Sequence, residues 1–254
     1  MKKAARSSIP QGGATFLPVA AEEKRAVEEI VFAVFAERGY REIIPPTFEY
    51  LAVLAQGLDA ELIEKSYKVV DRATGRILVM RPDVTAQIAR MVAMGMVDQP
   101  LPLRLCYSAN IFRYEPEHAG RDREIFQIGI ELIGPKGTAA DVEPIMVAAE
   151  CLRRLGITVF TIAMGQGAFF NALLRRTGVS ASVQGRLREA AARKDVPRME
   201  VLLHGAGVRG RAAKALLAVP GLFGGYEILE AAGRLAPRSE DCRGPLARLR
   251  EVWE

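Results

Sequence analysis

Hydrophobic and polar residues alternate along this chain with two different periods, and the switches between them mark its elements. Val27, Ile30, Val31, Val34 and Phe35 repeat at helical spacing, which predicts an amphipathic helix that Gly39 is well suited to end. Tyr67 to Val70 and Ile77 to Met80 are β-rich runs around a Thr-Gly turn, and Asp83 follows where a helix cap belongs. Residues 103 to 133 read as two strands of alternating character joined by a polar turn, His118 to Asp122. On the second strand Gln127, Gly129 and Glu131 share one face at period two, while Phe126, Ile128, Ile130 and Leu132 share the other. Two hydrogen-bonding side chains thus flank a glycine whose missing side chain leaves room for a small polar molecule.

Further on, DVEPIMVAAECLRRLG predicts a helix from near Asp141 to near Gly156, ITVFTIAMG a buried strand, and AFFNALLRRTG another helix. Beyond Thr177 the pattern becomes short helical stretches broken at Gly185, Pro197, Gly205, Gly207, Pro220, Gly224 and Gly225, with nothing that reads as a strand. The expected organisation is an α+β region over 10–177 and an all-helical region over 178–254.

A chain of 254 residues, half of them hydrophobic, can bury a substantial core. Its formal charge of +5 is unevenly placed: from Arg175 onward there are 15 Lys+Arg against 9 Asp+Glu, and before it 20 against 21. The surplus arginines are scattered among Ala and Leu with no aromatic interleaving, the pattern of solvated helix faces, so a nucleic-acid partner is not expected. Three cysteines far apart and two histidines, His118 and His204, support neither a disulfide framework nor a zinc site. The basic N-terminus lacks an apolar core of signal-peptide length, and no run approaches membrane-spanning length, which points to a cytoplasmic protein without a membrane partner. The GQG at Gly165 to Gly167 lacks the remainder of a dinucleotide or phosphate loop and reads as a turn into a helix; no cofactor is expected. His118 has no partner at motif spacing and is not read as catalytic.

The sequence FRYE, a loop containing GRDRE, then FQ resembles motif 2 of class II aminoacyl-tRNA synthetases, most of all the histidyl branch. The flanking words RLCYSANIFRYEPEHAGR and QIGIELIG are similar to those of that branch's non-synthetase relative, the regulatory subunit of ATP phosphoribosyltransferase, and the chain is identified as a member of that family. GYREIIPPTFEY after its helix resembles motif 1, and RPDVT stands where synthetases carry Arg-Pro-Glu-Gly-Thr. The resemblance implies a class II-like antiparallel sheet flanked by helices, with a helical insertion as C-terminal subdomain. It also implies a homodimer through motif 1 with Pro46 at its centre. The chain ends at REVWE, before anything resembling R-G-x-D-Y-Y or the glycine-rich motif 3.

For chemistry, the resemblance implies L-histidine as effector. Its ammonium, carboxylate and imidazole demand an acid, a base and a donor/acceptor pair. By motif position, Asp83 and Thr85 would hold the ammonium, Arg113 would face the carboxylate, and Gln127 and Glu131 would bracket the imidazole or ammonium. Arg113 and Arg121 would also be vestigial phosphate-binding residues. On residue chemistry alone Asp83 is equally a helix cap, Pro46 a strand terminator, and Arg113 a partner for Glu115 or Glu131.

The implied function is a non-catalytic regulatory subunit that binds histidine and joins a short-form catalytic subunit, imposing feedback on the first step of histidine synthesis. The alternatives are a truncated histidyl-tRNA synthetase core and, more distantly, a class II-like ligase with a non-tRNA acceptor. Val84 in place of the synthetase glycine is expected to crowd a backbone that must approach ligand closely, which favours the regulator.

Overall fold

The computed structural model describes residues 9–10, 12–114 and 123–254. The chain divides into two units, one up to Val159 and one from Phe160. In the first, helix α1 (Pro18–Glu37) leads through Gly39, at φ +78°, into β1 (Arg41–Glu42) and then β2 (Phe48–Tyr50). Short helices α2 (Leu51–Leu54) and α3 (Ala60–Lys65) precede the hairpin β3 (Lys68–Val70) and β4 (Ile77–Met80). Helix α4 (Thr85–Gly95), the long strands β5 (Leu103–Phe112) and β6 (Glu124–Ile133), and α5 (Thr138–Arg154) complete it.

Two three-stranded sheets result, in the orders β1-β5-β6 and β2-β4-β3. The first is not wholly antiparallel, because β1 runs parallel to β5 while β5 and β6 pair antiparallel over ten residues. Each of its faces is covered. Cys106, Ile128 and Ile130 pack with Val31, Val34 and Phe35 of α1 and Val147 and Cys151 of α5. On the opposite face Leu105, Tyr107, Ala109 and Ile111 pack with Val84 and Ile88 at the start of α4. A polar clasp fixes the α5 side: Arg104 of β5 donates twice to Glu143, at 2.7 and 2.8 Å, and the Tyr40 hydroxyl donates to the same carboxylate.

The second unit is helical: α6 (Gly167–Arg176), α7 (Ala181–Ala192), α8 (Val196–Gly205), α9 (Gly210–Ala218), a 3-10 turn over Val219–Gly221, α10 (Glu227–Leu235) and α11 (Glu240–Trp253). Phe169, Ala172, Leu173 and Leu174 of α6 share its core with Leu187, Met199, Leu203 and Leu216. Helix α6 therefore belongs with this unit, and the division falls between Val159 and Phe160 where the chain pattern had suggested Thr177.

Two local expectations differ. ITVFTIAMG forms no strand, and its apolar side chains are not buried: Val159 is 93% exposed and Ile157 47%. Strand propensity describes a side chain's fit to a pleated surface, and it is realised only where a neighbouring strand supplies hydrogen bonds. Gly185 does not break a helix either; it lies inside α7, whose buried Leu187 and Ala190 outweigh a single helix glycine costing about 1 kcal/mol.

Candidate functional site

The face shared by Gln127, Gly129 and Glu131 is the α4 face of the sheet, because in the β5–β6 ladder they pair with Ala109, Tyr107 and Leu105. Four residues of β6 at about 3.4 Å each set Gln127 and Glu131 roughly 14 Å apart along the strand, the span of an amino acid hydrogen-bonded at both ends. The N-terminus of α4 projects onto this face. There the Thr85 hydroxyl donates to Glu131 Oε1 at 2.7 Å.

Asp83 serves two masters. Its Oδ1 accepts from the Ala86 amide at 3.3 Å, a capping bond, and its Oδ2 lies 3.5 Å from an Arg113 guanidinium nitrogen. Arg113 also donates through Nε to the Pro82 carbonyl at 2.8 Å, so it braces the turn before α4. Among the described residues its ion pair is with Asp83, and Thr85 bonds Glu131, which brings four of the five expected histidine-binding side chains into two pairs. The fifth, Gln127, has a buried Oε1 with no hydrogen-bond partner. An unpaired buried amide oxygen costs free energy unless a donor arrives, which suits a ligand N–H. Arg121 and His118 lie outside the described residues.

Burial dominates the electrostatics of this face. Burial raises the Glu131 carboxyl above the usual range, the Thr85 hydrogen bond opposes this, and the Asp83 charge adds to it. Burial, reinforced by the Glu131 and Asp83 charges, pushes the Tyr107 phenol up to about 12. The space over Gly129 is not empty: a Cβ there would meet the Tyr107 hydroxyl oxygen at 2.5 Å. Room left by the glycine is thus taken by an aromatic ring, which forms the floor on which a ligand would rest.

Val84 is fully buried, at φ −90° and ψ −32°, and packs with Ile88 and with Tyr107 and Ile111 on the α4 face of β5. Sequence reasoning passed over four residues. Arg81, only 9% exposed, donates to the Asn110 carbonyl at 2.6 Å and the Pro45 carbonyl at 2.9 Å. Gln87 donates to the Pro46 carbonyl at 2.8 Å and to Glu49, and Arg90 donates to Glu49 at 2.6 Å. The segment 81–90 thus holds the Pro45–Pro46 turn with one set of side chains and the ligand face with another. The fourth, Tyr107, stands opposite Gly129 in the β5–β6 register, and a strand glycine is often covered by a cross-strand aromatic.

With this geometry in hand, comparison with known proteins is informative. The family model described as Histidyl-tRNA synthetase matches residues 12–254. The ATP phosphoribosyltransferase regulatory subunit of Syntrophotalea carbinolica is 39% identical over 244 residues, covering 96% of this chain and 57% of the relative. That of Geobacter sulfurreducens is 39% identical over 228 residues, covering 90% and 52%. The chain therefore spans little more than half the length of these relatives. A crystal structure described as an ATP phosphoribosyltransferase regulatory subunit/histidyl-tRNA synthetase from Bacillus halodurans C superimposes with a TM-score of 0.85 at 30% identity, covering all of this chain and 65% of that one. Family match, relatives and backbone agree with the motif 1 and motif 2 resemblance, and the chain belongs to the histidyl-tRNA synthetase family, with the class II synthetase fold and similarity along most of its length to ATP phosphoribosyltransferase regulatory subunits.

Proposed function

We propose that this chain is part of a non-catalytic regulatory subunit of ATP phosphoribosyltransferase that binds L-histidine on the α4 face of the β5–β6 ribbon. The observation that carries this reading is the convergence of Gln127, Glu131, Thr85 and Asp83 on one half-buried face, with an unpartnered amide oxygen among them. In this reading Arg113 faces the ligand carboxylate while bracing Asp83, and Arg113 with Arg121 is what remains of a phosphate-binding pair. The protein works in the cytoplasm; no helix among the described residues is long and apolar enough to cross a membrane.

Two partnerships belong to this proposal. One is a homodimer through the motif 1 region around Pro46, supported by the exposed apolar side chains Ile44, Phe48, Val69, Val70 and Ile77 on and beside the β2-β4-β3 sheet. The other is a short-form catalytic subunit. Feedback then follows from linkage: histidine favours one arrangement of the assembly, and the catalytic subunit differs in activity between arrangements.

The family description keeps a synthetase reading in play, and one pair of assays separates the two. Calorimetry should detect histidine binding that Gln127→Ala or Glu131→Ala weakens tenfold or more, since a charge-assisted hydrogen bond in such a pocket is worth about 1.5 to 3 kcal/mol. Histidine-dependent ATP–pyrophosphate exchange should be absent. Robust exchange converts the assignment to synthetase, and unchanged affinity in both variants removes the pocket.

A further inference from the structure

Arg81 and Gln87 stand on either side of Thr85 in the chain, and each donates a hydrogen bond to the proline turn. Arg81 does so where β1 stops short. β1 pairs with β5 only at Leu105 and Cys106, and further along β5 Arg81 takes over: its carbonyl accepts from the Phe112 amide at 2.9 Å and its Nε donates to the Asn110 carbonyl at 2.6 Å. Its amide donates to the Thr47 carbonyl at 3.0 Å and its Nη1 to the Pro45 carbonyl at 2.9 Å. Gln87 Nε2 holds the next carbonyl, that of Pro46, at 2.8 Å.

Neither side chain is chosen for stability alone. Arg81 is 9% exposed, burial lowers its pKa, and among the described residues no carboxylate forms an ion pair with it. Gln87 is fully buried, and holding Nε2 between Pro46 and Glu49 leaves its Oε1 without a partner. An uncompensated buried cation and an unpaired amide oxygen both oppose folding, and apolar side chains of similar volume would avoid both. What an apolar pair could not supply is directional attachment of two successive turn carbonyls to the segment that carries Thr85.

We propose that Arg81 and Gln87 form a joint between the ligand face and the proline turn, so that ligand occupancy and contact with a second copy of this chain at Ile44 and Phe48 each alter the other. The inference rests on the histidine site and the turn contact proposed above, and it adds the regulation of that site. On the ligand side the joint is reached through Thr85, bonded to Glu131, and through Arg113, which pairs with Asp83 and donates to the carbonyl of Pro82, the residue after Arg81. On the other side Ile44 is 79% exposed and Phe48 45%, while Pro45 between them is buried. A displacement of the turn therefore moves the acceptors of Arg81 and Gln87, and the short rigid segment between those donors carries it to Thr85. Such a linkage is reciprocal.

Isotope labelling of the threonine amides in the 254-residue chain reports both ends in one NMR spectrum, because Thr47 lies in the turn and Thr85 on the ligand face. Each signal is assigned by its loss in Thr47→Ser or Thr85→Ser. Histidine should move Thr85 and Thr47 together, and Ile44→Asp should move both without histidine. In the double variant Arg81→Met, Gln87→Met each perturbation should move only the nearer threonine. Calorimetry should show Ile44→Asp lowering histidine affinity about fivefold in the parent chain and leaving it unchanged in the double variant. If far-UV circular dichroism shows the double variant unfolded, Gln87→Met and Arg81→Lys, which keeps the cation but not the planar fork, should each reduce the remote movement. Remote movement that is missing from the parent chain, or that persists in full in the variants, overturns the joint. Ile44→Asp moving Thr85 in the parent alone, with no histidine binding, leaves the joint standing and removes the ligand reading.

Discussion

Replacing Gly129 by alanine tests the site at its tightest point. The new Cβ would lie 2.5 Å from the Tyr107 hydroxyl oxygen, 2.6 Å from Cζ and 2.9 Å from Cε1. Ordinary contacts begin near 3.5 Å, so the ring must retreat by about 1 Å. It has little room to do so, because Tyr107 is packed among Leu105, Ala109, Ile111 and Val84. Forcing extra volume into a packed core costs about 1 to 3 kcal/mol, and a glycine in a strand interior gives back roughly 0.5 to 1 kcal/mol of chain entropy when it is replaced. The expected net loss is about 1 to 2 kcal/mol. For a unit of this size that lowers the melting temperature by about 2 to 8 °C. The control is the same substitution in a Tyr107→Leu background, where the clashing atoms are gone and Gly129→Ala should be neutral or slightly stabilising. Urea denaturation followed by far-UV circular dichroism is the suitable assay, since the single tryptophan, Trp253, lies in the other unit. Equal costs in the two backgrounds would mean that Tyr107 does not cover Gly129, and the floor of the proposed site would go with it.

Two further outcomes follow from buried groups. Glu49→Ala should cost about 1.5 to 3 kcal/mol in urea denaturation because it strands Gln87 and the partly exposed Arg90, with Glu49→Gln intermediate; equal stability of all three proteins would show that the cluster is not structural. Burial raises the Cys106 thiol to about 11 and raises Cys151 as well, and Cys242 is fully buried. At pH 8 only about one Cys106 in a thousand is thiolate. A disulfide reagent should therefore label the three cysteines on unfolding, and rapid labelling of the native protein would contradict the described packing.

The elements with strong local signals were legible from the sequence. Helix α1, the β3–β4 hairpin and the β5–β6 pair all stand where periodicity placed them, and the shared face of Gln127 and Glu131 follows from period two alone. Pairwise geometry was not legible. That Arg113 meets Asp83, that Thr85 meets Glu131 and that Tyr107 fills the space over Gly129 depend on register and on where α4 docks. ITVFTIAMG shows the same limit from the other side, for its composition favours a strand but pairing is decided elsewhere in the chain. Arg81 was missed because its partners are the backbone carbonyls of Asn110 and Pro45, and Gln87 because its shortest bond goes to the Pro46 carbonyl; such partners leave no complementary residue to find.

The double attachment of residues 81–90 restricts length more severely than composition. One residue added between Thr85 and Gln87 would turn the rest of α4 by about 100°. Asp83 could still cap the helix, but Gln87 and Arg90 would swing away from Pro46 and Glu49. Point changes along the helix can be absorbed singly, whereas an insertion or deletion there severs the proline turn from the ligand face in one stroke.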